Sequence, residues 1–302
     1  TPNWWGSILG PIPSKYSGTA EYVPWCGDAD CSFLVSATEP EEDGFYVKDG
    51  KLFIKGHVNL PGGIELSEPG LTVVLADGAV IQNSSPCFTV NASSTKIYAE
   101  PGAKCIPVGG ANGIDVAAGL TDIRVKGLEI TGIDPEDTGN TSGDGIHFAG
   151  AINGVVLADN KIHNLGGDGV EFVDSPKGTV DIHGNLFASN GGFGINNSDT
   201  TDATTVAAEY NSWGSYDGPE GTGGDGVSAN VTFDPWTHVD LYMESTGTPW
   251  VNQVVKDGTI TYTVKAHLKN VIAADFVLTY PENLTYVNSN ASDTFSNPSL
   301  SH

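Results

Sequence analysis

The chain has 302 residues, of which 39 are glycine and only 17 % are charged, yet 37 Asp and Glu against 13 Lys and Arg leave a net charge of −24. A surface that negative repels nucleic acid, anionic membranes and acidic polysaccharides, and no run of about 18 apolar residues offers a membrane span. Neutral polysaccharides and divalent cations are the partners left compatible with it.

Residues 1–49 read as an N-terminal cap or linker, and Thr1 as a processed end or the start of a fragment. Asn3-Trp4-Trp5-Gly6 followed by Gly10-Pro11 matches Asn211-Ser212-Trp213-Gly214 followed by Gly218-Pro219, each pair 208 positions apart. Pro24-Trp25 matches Pro235-Trp236 at an offset of 211. The repeated motif reads as the end of a stack of strands, where Trp side chains seal apolar positions and strand edges that would otherwise face water. Four Cys allow three pairings, and sequence proximity favours Cys26 with Cys31 and Cys87 with Cys105. A four-thiolate metal site is the rival, although the spacings match no common zinc pattern.

Residues 50–236 carry one pattern over and over. Gly145-Ile146-His147-Phe148, Gly169-Val170-Glu171-Phe172 and Gly194-Ile195-Asn196-Asn197 begin successive copies at steps of 24 and 25. Each copy closes on an Asn two positions before a bulky apolar residue: Asn160 and Ile162, Asn185 and Phe187, Asn211 and Trp213. Stepping upstream, one apolar ladder reads Ile64, Phe88, Ile114, Ile146, Val170, Ile195, and a second reads Val73, Ile97, Ile123, Val155, Val180, Val206. The surplus residues of one step fall in the polar loop 134–141, as insertions in solenoids do. The segments are short, alternating, rich in Val and Ile and separated by Gly, Asn and Asp, which is strand and turn chemistry. The expectation is an all-β chain: a parallel β-helix of about six coils, about 30 Å long at roughly 4.8 Å per coil, with the three Asn stacked at a corner.

This arrangement resembles the right-handed parallel β-helix family that includes pectinases, polysaccharide lyases and many surface proteins. The resemblance implies an outward sheet face as the place for catalysis, and here that face shows Asp115, His147, Glu171 and Asn196 in one row, with Asp144 and Asp168 at the turns just before. Two such carboxylates can act as acid and base or nucleophile on a glycosidic bond, which makes His147, Glu171, Asp144 and Asp168 the catalytic candidates. Against this, Asp before Gly is ordinary turn chemistry. The family's hydrolase pattern of Asn-Thr-Asp, Asp-Asp and Gly-His-Gly on successive coils fails in two of three places, and the lyase bases Arg and Lys are represented only by Arg124 and Lys126, on a different sheet. Asp134, Glu136 and Asp137 could join Asp144 as oxygen ligands for calcium, although the spacing fits no known calcium loop. No other cofactor is expected. Sequons at Asn83, Asn91, Asn140, Asn196, Asn230, Asn283 and Asn290, together with the cysteines, favour an exported, extracellular or cell-surface glycoprotein.

Past Trp236 the strands lengthen: Val239–Met243, Thr259–Val264, Phe276–Tyr280 and Leu284–Val287. Residues 237–302 resemble part of a cohesin-like β-sandwich, with fewer strands than the roughly 100 residues of a full one would supply. A sandwich with an open edge invites completion by a neighbour's strand, and residues 1–25 or an adjoining strand are the candidate donor. The expected function is a structural or adhesive rod in a tandem or head-to-tail homopolymer such as a filament, sheath or surface layer. The alternative is a carbohydrate-active enzyme, hydrolase or lyase, or a polysaccharide-binding module, working from the row around His147 and Glu171.

Overall fold

A computed structural model describes residues 4–10, 24–132, 143–197, 204–219, 221, 225–245 and 262–270. The described residues are all β, with no helix among them. Residues 1–271 form one compact unit, and 272–302, assigned to a second, lie outside the described residues.

Three sheets run the length of a coil stack. The first has eleven strands, opening at Trp25–Cys26 and Leu34–Ser36, passing through the antiparallel pair Gly44–Lys48 and Lys51–Lys55, and continuing in parallel to Val231–Thr232. The second joins six parallel strands from His57–Val58 to Leu186–Ala188, and the third six from Ile64–Leu66 to Ile195–Asn196. This is the parallel β-solenoid of about six coils that the repeats predict.

The first apolar ladder pairs as read, Ile64 to Phe88, Ile114, Ile146, Val170 and Ile195 in turn. All six are fully buried, and beside them Phe148 stacks on Phe172 with centroids 4.7 Å apart. The second ladder needs one correction, because Ile97 pairs with Val125 rather than Ile123, while Ile123 does pair with Val155. A slip of two residues keeps every side chain on its own face, so Ile123 and Val125 satisfy the inward pattern equally and alternation cannot choose between them.

The Asn corner is a hydrogen-bonded column. Asn160 donates from its backbone and its amide to Asn185 Oδ1, Asn185 does the same to Asn211 Oδ1, and each amide also donates to a carbonyl across the coil, Val125, Leu157 and Ile182. These amides are 0–1 % exposed, so any one left without its neighbour would hold orphaned polar groups in an apolar interior. Both expected disulfides are present, Cys26–Cys31 and Cys87–Cys105, and they point to an oxidising compartment.

Asn83 is 1 % exposed and accepts a bond from Leu60 N, so a glycan there has no path to solvent; Asn91 is exposed and Asn230 half-buried. Asn140, Asn283 and Asn290 lie outside the described residues. The part of residues 1–25 that is described packs on its own chain, with Ile8 and Trp25 buried in the common core. Of the sandwich-like region, His238–Ser245 and Tyr262–Lys269 form an antiparallel hairpin, and the strands expected at 276–287 lie outside the described residues.

Candidate functional site

The outward residues of the third sheet stack as the pattern requires, Asp115 against His147, His147 against Glu171 and Glu171 against Asn196. Glycines bring the rungs this close. A Cβ at Gly145 would lie 2.4 Å from Gly169 O and 2.5 Å from Ile162 Cγ2, which no side chain tolerates. His147 sits in the middle of the row, with Nδ1 3.3 Å from Asp115 Oδ1 and Nε2 3.5 Å from Glu171 Oε2.

The turns before these strands form a second corner column. Asn112 Oδ1 accepts from Asp144 N, Asp144 Oδ1 from Asp168 N, and Asp168 Oδ1 from Phe193 N. Asp144 and Asp168 therefore each use one oxygen to cap the next coil. Their remaining oxygens meet the row: Asp168 Oδ2 accepts from Asn196 Nδ2, and Asp144 shares a hydrogen bond with Glu171. Partial burial, that bond and the Asp144 charge push Glu171 up to about 7, against the opposing pull of His147, and the Asp168 charge adds to the rise. Near neutrality the Glu171 carboxyl is therefore about half protonated.

One ligand atom each from Asp144, His147 and Glu171 lies within 4.8 Å of the others, all three side chains half-buried. Two carboxylates and an imidazole suit a divalent transition metal better than calcium, which prefers an all-oxygen shell, and Asp115 on the far nitrogen of His147 orients the ring as outer-shell carboxylates do. The calcium set read from the sequence is not assembled by what is described: Asp134, Glu136 and Asp137 lie outside the described residues, and Asp144 faces His147 and Glu171. Arg124 and Lys126 lie on the first sheet, paired with Asp122 and Asp159.

Two features were missed in the sequence. Asp225 is 5 % exposed and receives Asn190 through both its backbone and its amide; burial lifts its carboxyl to about 6 in spite of those bonds. A cleft of about 630 Å³ opens at the corner between the first and second sheets, lined by Asp181, His183, Gly184, Glu209, Tyr210, Asp234 and Pro235. Its signal was in the sequence, since the residue ahead of each corner Asn reads Asp159, Gly184, Tyr210, and Tyr is out of place there.

Comparison of the chain with protein-family models, curated proteins and solved structures finds no match.

Proposed function

We propose that this chain is an extracellular structural or adhesive protein whose β-helix is a spacer in a tandem or head-to-tail assembly, with the repeated Trp motif as its joint. The observation that carries this reading is that both copies of the motif fold alike at the two ends of one coil stack. In the first copy Gly10 N donates to Ser7 O, Leu9 N donates to Ser7 Oγ, and Trp25 Nε1 donates to Ile8 O at 3.1 Å. In the second, Gly218 N donates to Ser215 O, Asp217 N to Ser215 Oγ, and Trp236 Nε1 to Tyr216 O at 3.1 Å. Gly10 and Gly218 have φ of 87° and 89°, and a Cβ on either would lie 2.7 or 2.8 Å from the Trp ring that packs over it.

What each copy joins is different. The first seats on the opening coil of this β-helix, where Glu68 accepts from Ser7 Oγ at 2.8 Å and from Ile8 N. The second closes the last coil, with Trp213 fully buried and stacked on Phe187 at 5.1 Å, and hands on to the hairpin, with Lys269 Nζ 3.6 Å above the Trp236 ring and Asn270 Nδ2 on Trp236 O. A cassette that keeps its fold while its downstream neighbour changes is what a modular array needs. Electron microscopy of native material, with sedimentation of the full chain over a concentration series, tests the assembly. Filaments or tandem rods are expected; a monodisperse monomer throughout would sink it.

A second reading, a carbohydrate-active enzyme, draws on Glu171, an acid still half-protonated near neutrality beside His147. Against it stands the closeness of Glu171 and Asp144, with carboxylate oxygens within 4.8 Å of each other, since glycosidase carboxylates stand about 5 Å or more apart to admit the scissile bond. Turnover of any neutral polysaccharide that disappears in Glu171→Gln would reverse the ranking.

A further inference from the structure

At the corner that carries the Asn column, the residues Gly127, Asp159, Gly184 and Tyr210 occupy one slot on successive coils: Gly127 N donates to Ala158 O, Asp159 N to His183 O, Gly184 N to Tyr210 O and Tyr210 N to Pro235 O. All four have positive φ, 76°, 56°, 69° and 61°. Gly takes that conformation freely and Asp tolerates it, whereas Tyr forces its Cβ against the following carbonyl. Tyr210 is thus chosen against the local preference of its own position. Tyr210 is the bulkiest of the described non-glycine residues at positive φ, and such a departure marks a place where the side chain serves something other than folding.

The surroundings say what it serves. The Tyr210 ring is 54 % exposed, the most open of the large apolar side chains described, while its backbone is pinned by Pro235 O, Gly184 N and Thr237 Oγ1. It therefore presents an exposed aromatic face from a fixed backbone, and it lines the 630 Å³ cleft, within the size range of small-ligand sites. Three of the other walls are carboxylates, Asp181, held by His183 Nδ1 at 2.8 Å, Glu209, held by Thr232 Oγ1 at 2.9 Å, and Asp234, and His183, Gly184 and Pro235 complete the lining. A flat ring beside several carboxylates fits a ligand with a C–H face and many hydroxyl donors. Three carboxylates on a chain of charge −24 repel uronate, sulfate and phosphate. We propose that this cleft is a binding site for a neutral or amino-bearing pyranose chain, with Tyr210 as stacking platform and Asp181, Glu209 and Asp234 as hydroxyl or ammonium acceptors. It lies on the first and second sheets, apart from the His147 row on the third, and does not depend on the joint reading.

The test is isothermal titration of the full chain with gluco-, xylo- and mannohexaose, chitosan hexamer and, as the charged control, oligogalacturonate. At least one neutral or amino-bearing oligosaccharide is expected to bind with Kd below about 1 mM, and oligogalacturonate not at all. Tyr210→Gly should weaken that binding at least about tenfold while raising Tm, because Gly suits the positive-φ slot. A ring that merely packs would give the opposite, a lower Tm with unchanged affinity. Glu209→Gln and Asp181→Asn should weaken binding with the fold intact by circular dichroism. Absence of binding across the panel, binding of oligogalacturonate as tight as the rest, or binding indifferent to Tyr210→Gly would overturn the proposal.

Discussion

Ile8 and Tyr216 hold the same place in the two copies of the end motif, their carbonyls accepting from Trp25 Nε1 and Trp236 Nε1 respectively, each at 3.1 Å, yet Ile8 is 3 % exposed and Tyr216 48 %. Trp25 is likewise buried where Trp236 is only partly so. The turn is set by local chemistry, a Ser that caps, a Gly at positive φ and a Trp that lies over it, so it is copied faithfully. The burial is set by whatever the chain supplies next, coil in one case and hairpin in the other. A motif of this kind carries its own shape and borrows its stability.

The comparison can be broken most severely at the seal. Trp213→Ala removes a fully buried ring from the top of Phe187 and should cost about 3–5 kcal/mol in urea unfolding, against about 1–2 for Trp5→Ala, whose ring is only partly buried. Equal losses would mean that the two copies are sealed alike. Next comes the glycine pair. Gly10→Ala should cost about 2–3 kcal/mol and Gly218→Ala about 1, because the strain at positive φ is shared but only Trp25 is walled in and unable to give way.

A smaller effect separates the ends by pH. Asp225 donates its N–H to Trp213 O at the second end, and its carboxyl rises from an ordinary 3.8 to about 6. The folded chain then holds that proton more tightly than the unfolded chain, so the contribution is complete below pH 3.8 and is lost as pH rises through about 6. Asp225→Asn should flatten this decline, worth at most about 1–2 kcal/mol, in denaturation curves taken from pH 4 to 7. Glu171 titrates in the same direction, from 4.5 to about 7, and is half-buried on the sheet face. Glu171→Gln, neutral at every pH, should therefore raise Tm slightly at pH 8 and leave it unchanged at pH 4.

Much of this was legible in the sequence because a solenoid writes its contacts at a fixed interval. Ile64 to Ile195, the three corner Asn, the His147 row and the duplicated Trp motif all follow from counting, since each residue's neighbour is its own counterpart about 25 positions away. What counting could not see falls where two answers share one pattern or where no repeat exists. Ile97 could meet Ile123 or Val125 without changing face. Asp225 reaches Asn190 from a segment outside the repeat, so nothing in its spacing announced a buried carboxyl. The bond between Asp144 and Glu171 depends on a turn oxygen left over after capping, which residue type alone does not reveal.

The disulfide Cys87–Cys105 has a consequence for load. Its residues are fully buried and 18 positions apart within one coil, joining the approach to the third sheet with the second. If this chain bears tension along its length, coils held only by strand pairing and the Asn column peel off one after another. This one withholds the segment between its cysteines, 18 positions apart, from extension, about 60 Å of chain that reaches the line of force only after reduction. Under such tension the coil would act as a mechanical stop near one end of the coil stack, and the reach of the stack would become a function of the redox state of its surroundings.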